Sequence, residues 1–176
     1  MGIGVALYLK QHQVITDFLH SISLLGIKTI ADEEGQQFHL TLMNGDLGNT
    51  DNLIKNVAGL DVPSAVRTGK VEFFEGDGAV AYVAVAESTK NELMKCQEAV
   101  CKAALSSSIA IRDPYESSRW IPHISIAGKL TDQEVSNIAQ LAKDLPMLNL
   151  EVLGYGVATW KNGVVTKERE WRTTDA

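Results

Sequence analysis

The chain has 176 residues, with 22 Asp and Glu against 16 Lys and Arg, and a formal net charge of −6. That length suits one domain, or two small lobes sharing a core, and buries more than half of the unfolded surface without disulfide or metal staples. The acidic balance argues against a protein that coats long duplex nucleic acid, because neutralising phosphates needs clustered Lys and Arg; a short anionic ligand in a locally positive pocket stays compatible.

The first residues lack the basic flank and apolar run of a signal peptide, and no later stretch reaches the roughly 18 apolar residues of a membrane span, so neither export nor membrane insertion is expected. Residues 3–9 alternate Ile3, Val5, Leu7 and Leu9 against Gly4, Ala6 and Tyr8. The alternation predicts a strand with one packed side and one hollow side. Over residues 11–25 the apolar positions Val14, Ile15, Phe18, Leu19, Ile22 and Leu25 follow helical spacing, with Gly26 where a C-cap falls. His12 and His20 lie off that stripe and are expected in solvent. A strand over 37–43 follows, then a short helix capped by Thr50, carrying Leu53, Ile54 and Val57 and stopped by Gly59 and Pro63.

Residues 65–74 and 79–86 predict a hairpin around Glu75-Gly76-Asp77-Gly78. Thr89 and Glu92 have capping-box spacing before a helix whose buried stripe is Leu93, Cys96, Val100 and Ala104. Cys96 and Cys101, the two cysteines of the chain, fit neither a disulfide framework nor a zinc site, so reduced thiols and a cytoplasmic setting are expected. Residues 106–120 show no sustained period, and a loop of that length is uncommon unless functional. Beyond it come a strand at 122–126, a capping box at Thr131 and Glu134, a helix with Val135, Ile138, Ala142 and Leu145 ended by Pro146, and a hairpin of 148–160 with 163–171 around the turn signal Asn162-Gly163. Each half of the chain thus gives a helix, a histidine strand, a second helix and a hairpin, which reads as an internal duplication. Residues 1–176 are taken as one α+β domain of two pseudo-symmetric lobes. Each lobe is a small antiparallel sheet with helices outside, and a cleft lies between them.

Two stretches carry the chemistry. Phe38-His39-Leu40-Thr41-Leu42 and Pro122-His123-Ile124-Ser125-Ile126 each place a histidine and a hydroxyl on one face of a strand, about 7 Å apart, and apolar residues on the other. Cleaving a phosphodiester needs one group to take a proton from the attacking oxygen and another to give one to the leaving oxygen, and imidazole does either near neutral pH. Hydroxyls beside the imidazoles can donate to the non-bridging oxygens as charge builds there. A lone His and Thr on a strand is ordinary core and β-propensity; a matched pair at equivalent places in a repeat favours function.

His39-Leu40-Thr41 and His123-Ile124-Ser125 on strands of a duplicated α+β chain resemble the two-histidine phosphoesterase superfamily, with enzymes such as the 2′-5′ RNA ligases of bacteria, cyclic nucleotide phosphodiesterases, RNA 3′-end trimming enzymes and viral phosphodiesterases that destroy oligonucleotide immune signals. The resemblance implies catalytic roles for His39 and His123 and phosphate binding by Thr41 and Ser125. It leaves open which histidine is acid and which is base. Tyr8 on the hollow face, together with Tyr115, Arg119 and Trp120 before the second motif, are candidates for substrate contact by stacking and phosphate pairing. No metal-ligand spacing is present, and no cofactor is expected. The expected partner is a nucleotide or short oligonucleotide substrate with a 2′,3′-cyclic, 2′-5′ or 3′-5′ linkage, a cyclic signalling nucleotide included, and the expected activity is metal-independent hydrolysis. The alternative from another class is a module that binds or sequesters the nucleotide without turnover.

Overall fold

The computed structural model describes residues 1–32, 38–76, 78–161 and 164–173. The chain alternates β1 (Gly2–Leu9), α1 (Gln13–Ser23), β2 (His39–Asp46), α2 (Thr50–Val57), β3 (Ala65–Phe74), β4 (Ala79–Val85), α3 (Glu87–Ser106), β5 (His123–Leu130), α4 (Asp132–Leu141), β6 (Asn149–Lys161) and β7 (Val164–Arg172). The expected turns at Asp77 and at Asn162-Gly163, and the first residue of the expected 37–43 strand, lie outside the described residues.

Every strand pairing is antiparallel, and the order is β2-β1-β6-β3-β4-β5, with β7 outside on β6. The order of elements repeats, with a different boundary from the one the sequence suggests. Each repeat runs strand, helix, histidine strand, helix, strand: β1-α1-β2-α2-β3, then β4-α3-β5-α4-β6, with β7 added at the end. The last strands cross over. β6 of the second repeat pairs with β1 of the first, while β3 leaves the first repeat to pair with β4. The lobes therefore exchange strands, and a three-residue pairing, Ala65 to Glu151, Val66 to Leu150 and Arg67 to Asn149, joins their two sheets into one path. Helices exchange likewise, α2 packing with α3 and α1 with α4.

Alternation does in the strands what the sequence predicts. Ile3, Val5 and Leu7 are fully buried beneath the helices, as are Leu40, Leu42 and Ile124, whereas Gly4, Ala6, His39, Thr41, His123 and Ser125 are half-buried on the opposite face. A bulge in β2 opposite Val5 and Ala6 turns Leu42 and Met43 both inward, after which Asn44 and Asp46 face outward again. Gly26 and Gly59 close their helices at φ of +78° and +77°, the left-handed cap that glycine adopts at least cost.

Two capping expectations come out differently. α2 is capped by Asn49, whose side chain accepts from the Asn52 N–H, so Thr50 is the first helical residue. α3 begins at Glu87 after Ala86 with no side-chain cap, and the Thr89 hydroxyl instead donates to the Ala86 carbonyl. At α4 the reciprocal box forms: the Thr131 side chain accepts from the Glu134 N–H, and the Glu134 carboxylate accepts from the Thr131 N–H at 2.8 Å. Thr131→Ala removes the side-chain half of the exchange, and a loss of about 1 kcal/mol in urea-unfolding stability is expected.

Candidate active site

β2 and β5 stand at opposite ends of the strand order, yet the sheet curls until they pack against one another. Their first residues are His39 and His123. Both imidazoles are half-buried on the face away from the helices, and His39 is near enough to act electrostatically on His123. One histidine from each run of elements therefore begins each of two strands that pack together.

Backbone and aromatic contacts hold His123. Its Nδ1 lies 2.7 Å from the Ile121 carbonyl oxygen, an acceptor only, so Nδ1 carries the proton and Nε2 is the nitrogen left for chemistry. The rings of Phe74 and Tyr82 stack on each other with centroids 4.1 Å apart, and both stand in an edge relation to His123 at 5.0 and 5.4 Å. Burial among these rings holds the His123 pKa below the ordinary imidazole range; the bond to Ile121 opposes the shift, and the neighbouring His39 adds to it. Tyr82 lies opposite Ser125, and its hydroxyl donates to Glu72 at 2.9 Å, so burial first and that carboxylate second push its pKa up to about 12.

The other lobe has a different wall. Tyr8 pairs in register with His39 and Ala6 with Thr41, so a ring stands beside the histidine and a methyl beside the hydroxyl. Tyr8 is 7% exposed, and burial together with the charge of Glu170 raises its pKa. Its phenol reaches across β6 over Gly156, where a Cβ would fall 2.6 Å from the Tyr8 oxygen, and Glu170 is the β7 residue opposite that glycine.

The aperiodic segment before the second motif turns out to brace the first. The Asp46 N–H donates to the Ala110 carbonyl and the Arg112 N–H to the Asn44 carbonyl, both at 2.9 Å, extending the sheet beyond β2. Gly45 permits this approach, since a Cβ there would lie 2.7 Å from the Ala110 oxygen. Tyr115 sits in a short 3₁₀ turn, its phenol near the Thr41 and Asn44 side chains. Burial raises its pKa, against which the Asn44 and Thr41 side chains and the Arg112 charge work. The turn is anchored from beneath: the fully buried Gln97 of α3 donates to the Tyr115 carbonyl at 2.7 Å.

The remaining sequence candidates occupy distinct places. Trp120 is 4% exposed within the core, and its indole N–H donates to the Thr41 carbonyl at 3.2 Å. It holds the first motif from behind and offers no open ring face. Arg119 is exposed and ion-paired with Asp113. His12 accepts from the Val14 N–H as the N-cap of α1 and, like His20, is exposed. Sequence pattern does not single out Phe74, Tyr82, Glu72, Asn44 or Gln97, because each reads locally as an ordinary strand or helix residue. Among the described residues, no group of three or more His, Cys, Asp or Glu side chains is placed to hold a metal ion. A shallow groove lined by Asn91, Met94, Lys95, Glu98, Ser117 and Ser118 contains neither motif.

The antiparallel α+β arrangement is the two-lobed fold of the two-histidine phosphoesterases, and this chain has that fold. It is similar to the crystal structure of LigT from E. coli complexed with 3′-AMP, with a TM-score of 0.60 at 13% identity over 98% of this chain and 96% of that one. The TT0787 protein of Thermus thermophilus gives 0.61 at 16% identity over 98% and 97%, and Usb1 of Kluyveromyces marxianus gives 0.52 at 9% identity over 94% and 96%. No family model and no curated protein matches the sequence.

Proposed function

We propose that this protein is a metal-independent phosphodiesterase that cleaves a nucleotide or short oligonucleotide by paired histidine acid and base catalysis. What supports the reading is that His39 and His123 begin two strands that pack together, lie within electrostatic reach of each other, and each have a hydroxyl two residues on along the strand. His123, neutral and with its Nδ1 proton committed to Ile121, takes the proton of the attacking oxygen at Nε2; His39 gives a proton to the leaving oxygen. Thr41 and Ser125 donate to the non-bridging oxygens, with the Tyr115 phenol near Thr41. Similar structures hold ligands of this class: LigT with 3′-AMP and Usb1 with uridine monophosphate.

These roles set the pH profile. A base whose pKa is lowered stays unprotonated at more acidic pH, so the acid limb of kcat/KM falls below the ordinary imidazole value of about 6.5. An acid limb above that value contradicts the assignment of His123 as base. The function is tested by incubating the protein, in EDTA, with 2′,3′-cyclic nucleotides, 2′-5′ oligoadenylates, 3′-5′ oligonucleotides and cyclic di- and trinucleotides, with the His39→Ala/His123→Ala double variant as blank. Turnover of at least one class is expected. Binding without turnover replaces catalysis by sequestration, and loss of turnover on chelation points to a metal.

A further inference from the structure

The ligand face of the sheet does not end at the two motifs. Beyond Thr41 the outward residues of β2 are Asn44 and Asp46, and opposite them on β1 lie Gly4 and Gly2. Trp160, in register with Gly2 from the β6 side, lays its indole over these glycines: a Cβ on Gly2 would fall 2.3 Å from the ring carbons and one on Gly4 3.1 Å. The Arg112 guanidinium stands over the same ring, 5.8 Å from its centroid, with Nη2 3.3 Å from the Asp46 carboxylate. The braced segment fixes Arg112 there, because its backbone N–H is bonded to Asn44. A half-buried indole and a cation with 45% of its side chain exposed thus occupy the face that carries Thr41, not the face that packs on the helices.

An indole under a guanidinium suits a base and its phosphate once Arg112 turns off the ring toward the phosphate: any base stacks on indole, and Arg pairs with phosphate in a planar fork. The pair with Asp46 is exposed on both sides and therefore weak, so a phosphate can compete for the guanidinium. Four residues separate Ala6, opposite Thr41, from Gly2 under the indole, about 13 Å along the strand. The same cleft therefore has room for a nucleotide beyond the one whose phosphate is cleaved.

We propose that Trp160 and Arg112 form a second-nucleotide subsite, the indole stacking the base adjacent to the scissile linkage and Arg112 meeting its phosphate, so that the preferred substrate is an oligonucleotide of two or more residues. This rests on the phosphodiesterase reading above. The test compares equilibrium binding of a phosphorothioate-linked diadenosine and of 3′-AMP to the intact protein and to its Trp160→Ala and Arg112→Gln variants, alongside kcat/KM on a dinucleotide and on a 2′,3′-cyclic mononucleotide. Wild type is expected to favour the dinucleotide by about 10-fold or more, and either variant to bring that preference close to unity. Arg112→Gln, at an exposed position, decides the matter if Trp160→Ala fails to fold. Absence of a preference in wild type, or a preference that survives in the variants, overturns the subsite. A preference of the expected kind without turnover of either substrate leaves the subsite standing and removes the hydrolase reading instead.

Discussion

Replacing either His39 or His123 by alanine is expected to lower kcat by about 10²- to 10⁴-fold, while the melting temperature stays within a few degrees of wild type. Both side chains are half-buried on the sheet face opposite the helices, so their removal opens no cavity in the core formed by Leu40, Leu42, Ile124 and Ile126. On the proposed mechanism the loss falls on chemistry, because each imidazole moves a proton that the other cannot move from its own side of the phosphorus. Acid and base serving one transition state are not additive, so the double variant is expected near the slower single variant and not at the product of the two losses. Two independent multiplicative losses, or a single variant that keeps most of its rate, would separate the histidines into different tasks. Steady-state kinetics with a thermal melt on each protein makes the comparison.

The next largest effect is expected at the hydroxyls. On the proposed mechanism, Thr41→Val and Ser125→Ala each remove a donor to oxygens that gain charge only as the phosphorus becomes five-coordinate. A hydrogen bond to a charged group corresponds to about 1.5–3 kcal/mol, which is about 10- to 150-fold in rate. Such an interaction strengthens in the transition state, so kcat falls and KM moves little. Thr41→Val is chosen because it keeps the branched shape that sits opposite Ala6 and beside the Tyr115 phenol. A rise in KM with kcat preserved would make these hydroxyls ground-state binders. The pH profile of each variant should overlay that of wild type, since neither hydroxyl titrates in that range.

The two motif strands were legible because side-chain alternation is a local property with period two. His39, Thr41, His123 and Ser125 share their exposure, and Leu40, Leu42, Ile124 and Ile126 their burial, for reasons contained in five consecutive residues. The exchange of β3 and β6 between lobes was not legible. Which strand β6 pairs with is decided by the short contact of Ala65, Val66 and Arg67 with residues 149–151 and by its long register with β1, and nothing in the hairpin signal of residues 148–171 encodes either. The capping box at Thr131 forms and the one at Thr89 does not, because α3 starts two residues before Thr89 and leaves it inside the first turn. Length and lack of period mark residues 106–120 as a candidate functional loop, but its partners, Asn44, Gly45 and Asp46 of β2, are more than sixty positions away in the chain. The same distance hides the bond of Trp120, a candidate stacking ring in sequence and in the structure a core residue bonded to the Thr41 carbonyl. Gln97 reads like any polar residue on a helix, although it is wholly buried beneath Tyr115.

The most direct measurement of the account is an NMR titration of the imidazole resonances of all four histidines with 3′-AMP. The account predicts that His39 and His123 shift together along a single binding curve while His12, capping α1, and His20, exposed on its surface, stay where they are. Movement of only one of the two, or separate curves for each, would show that the imidazoles do not meet on one phosphate.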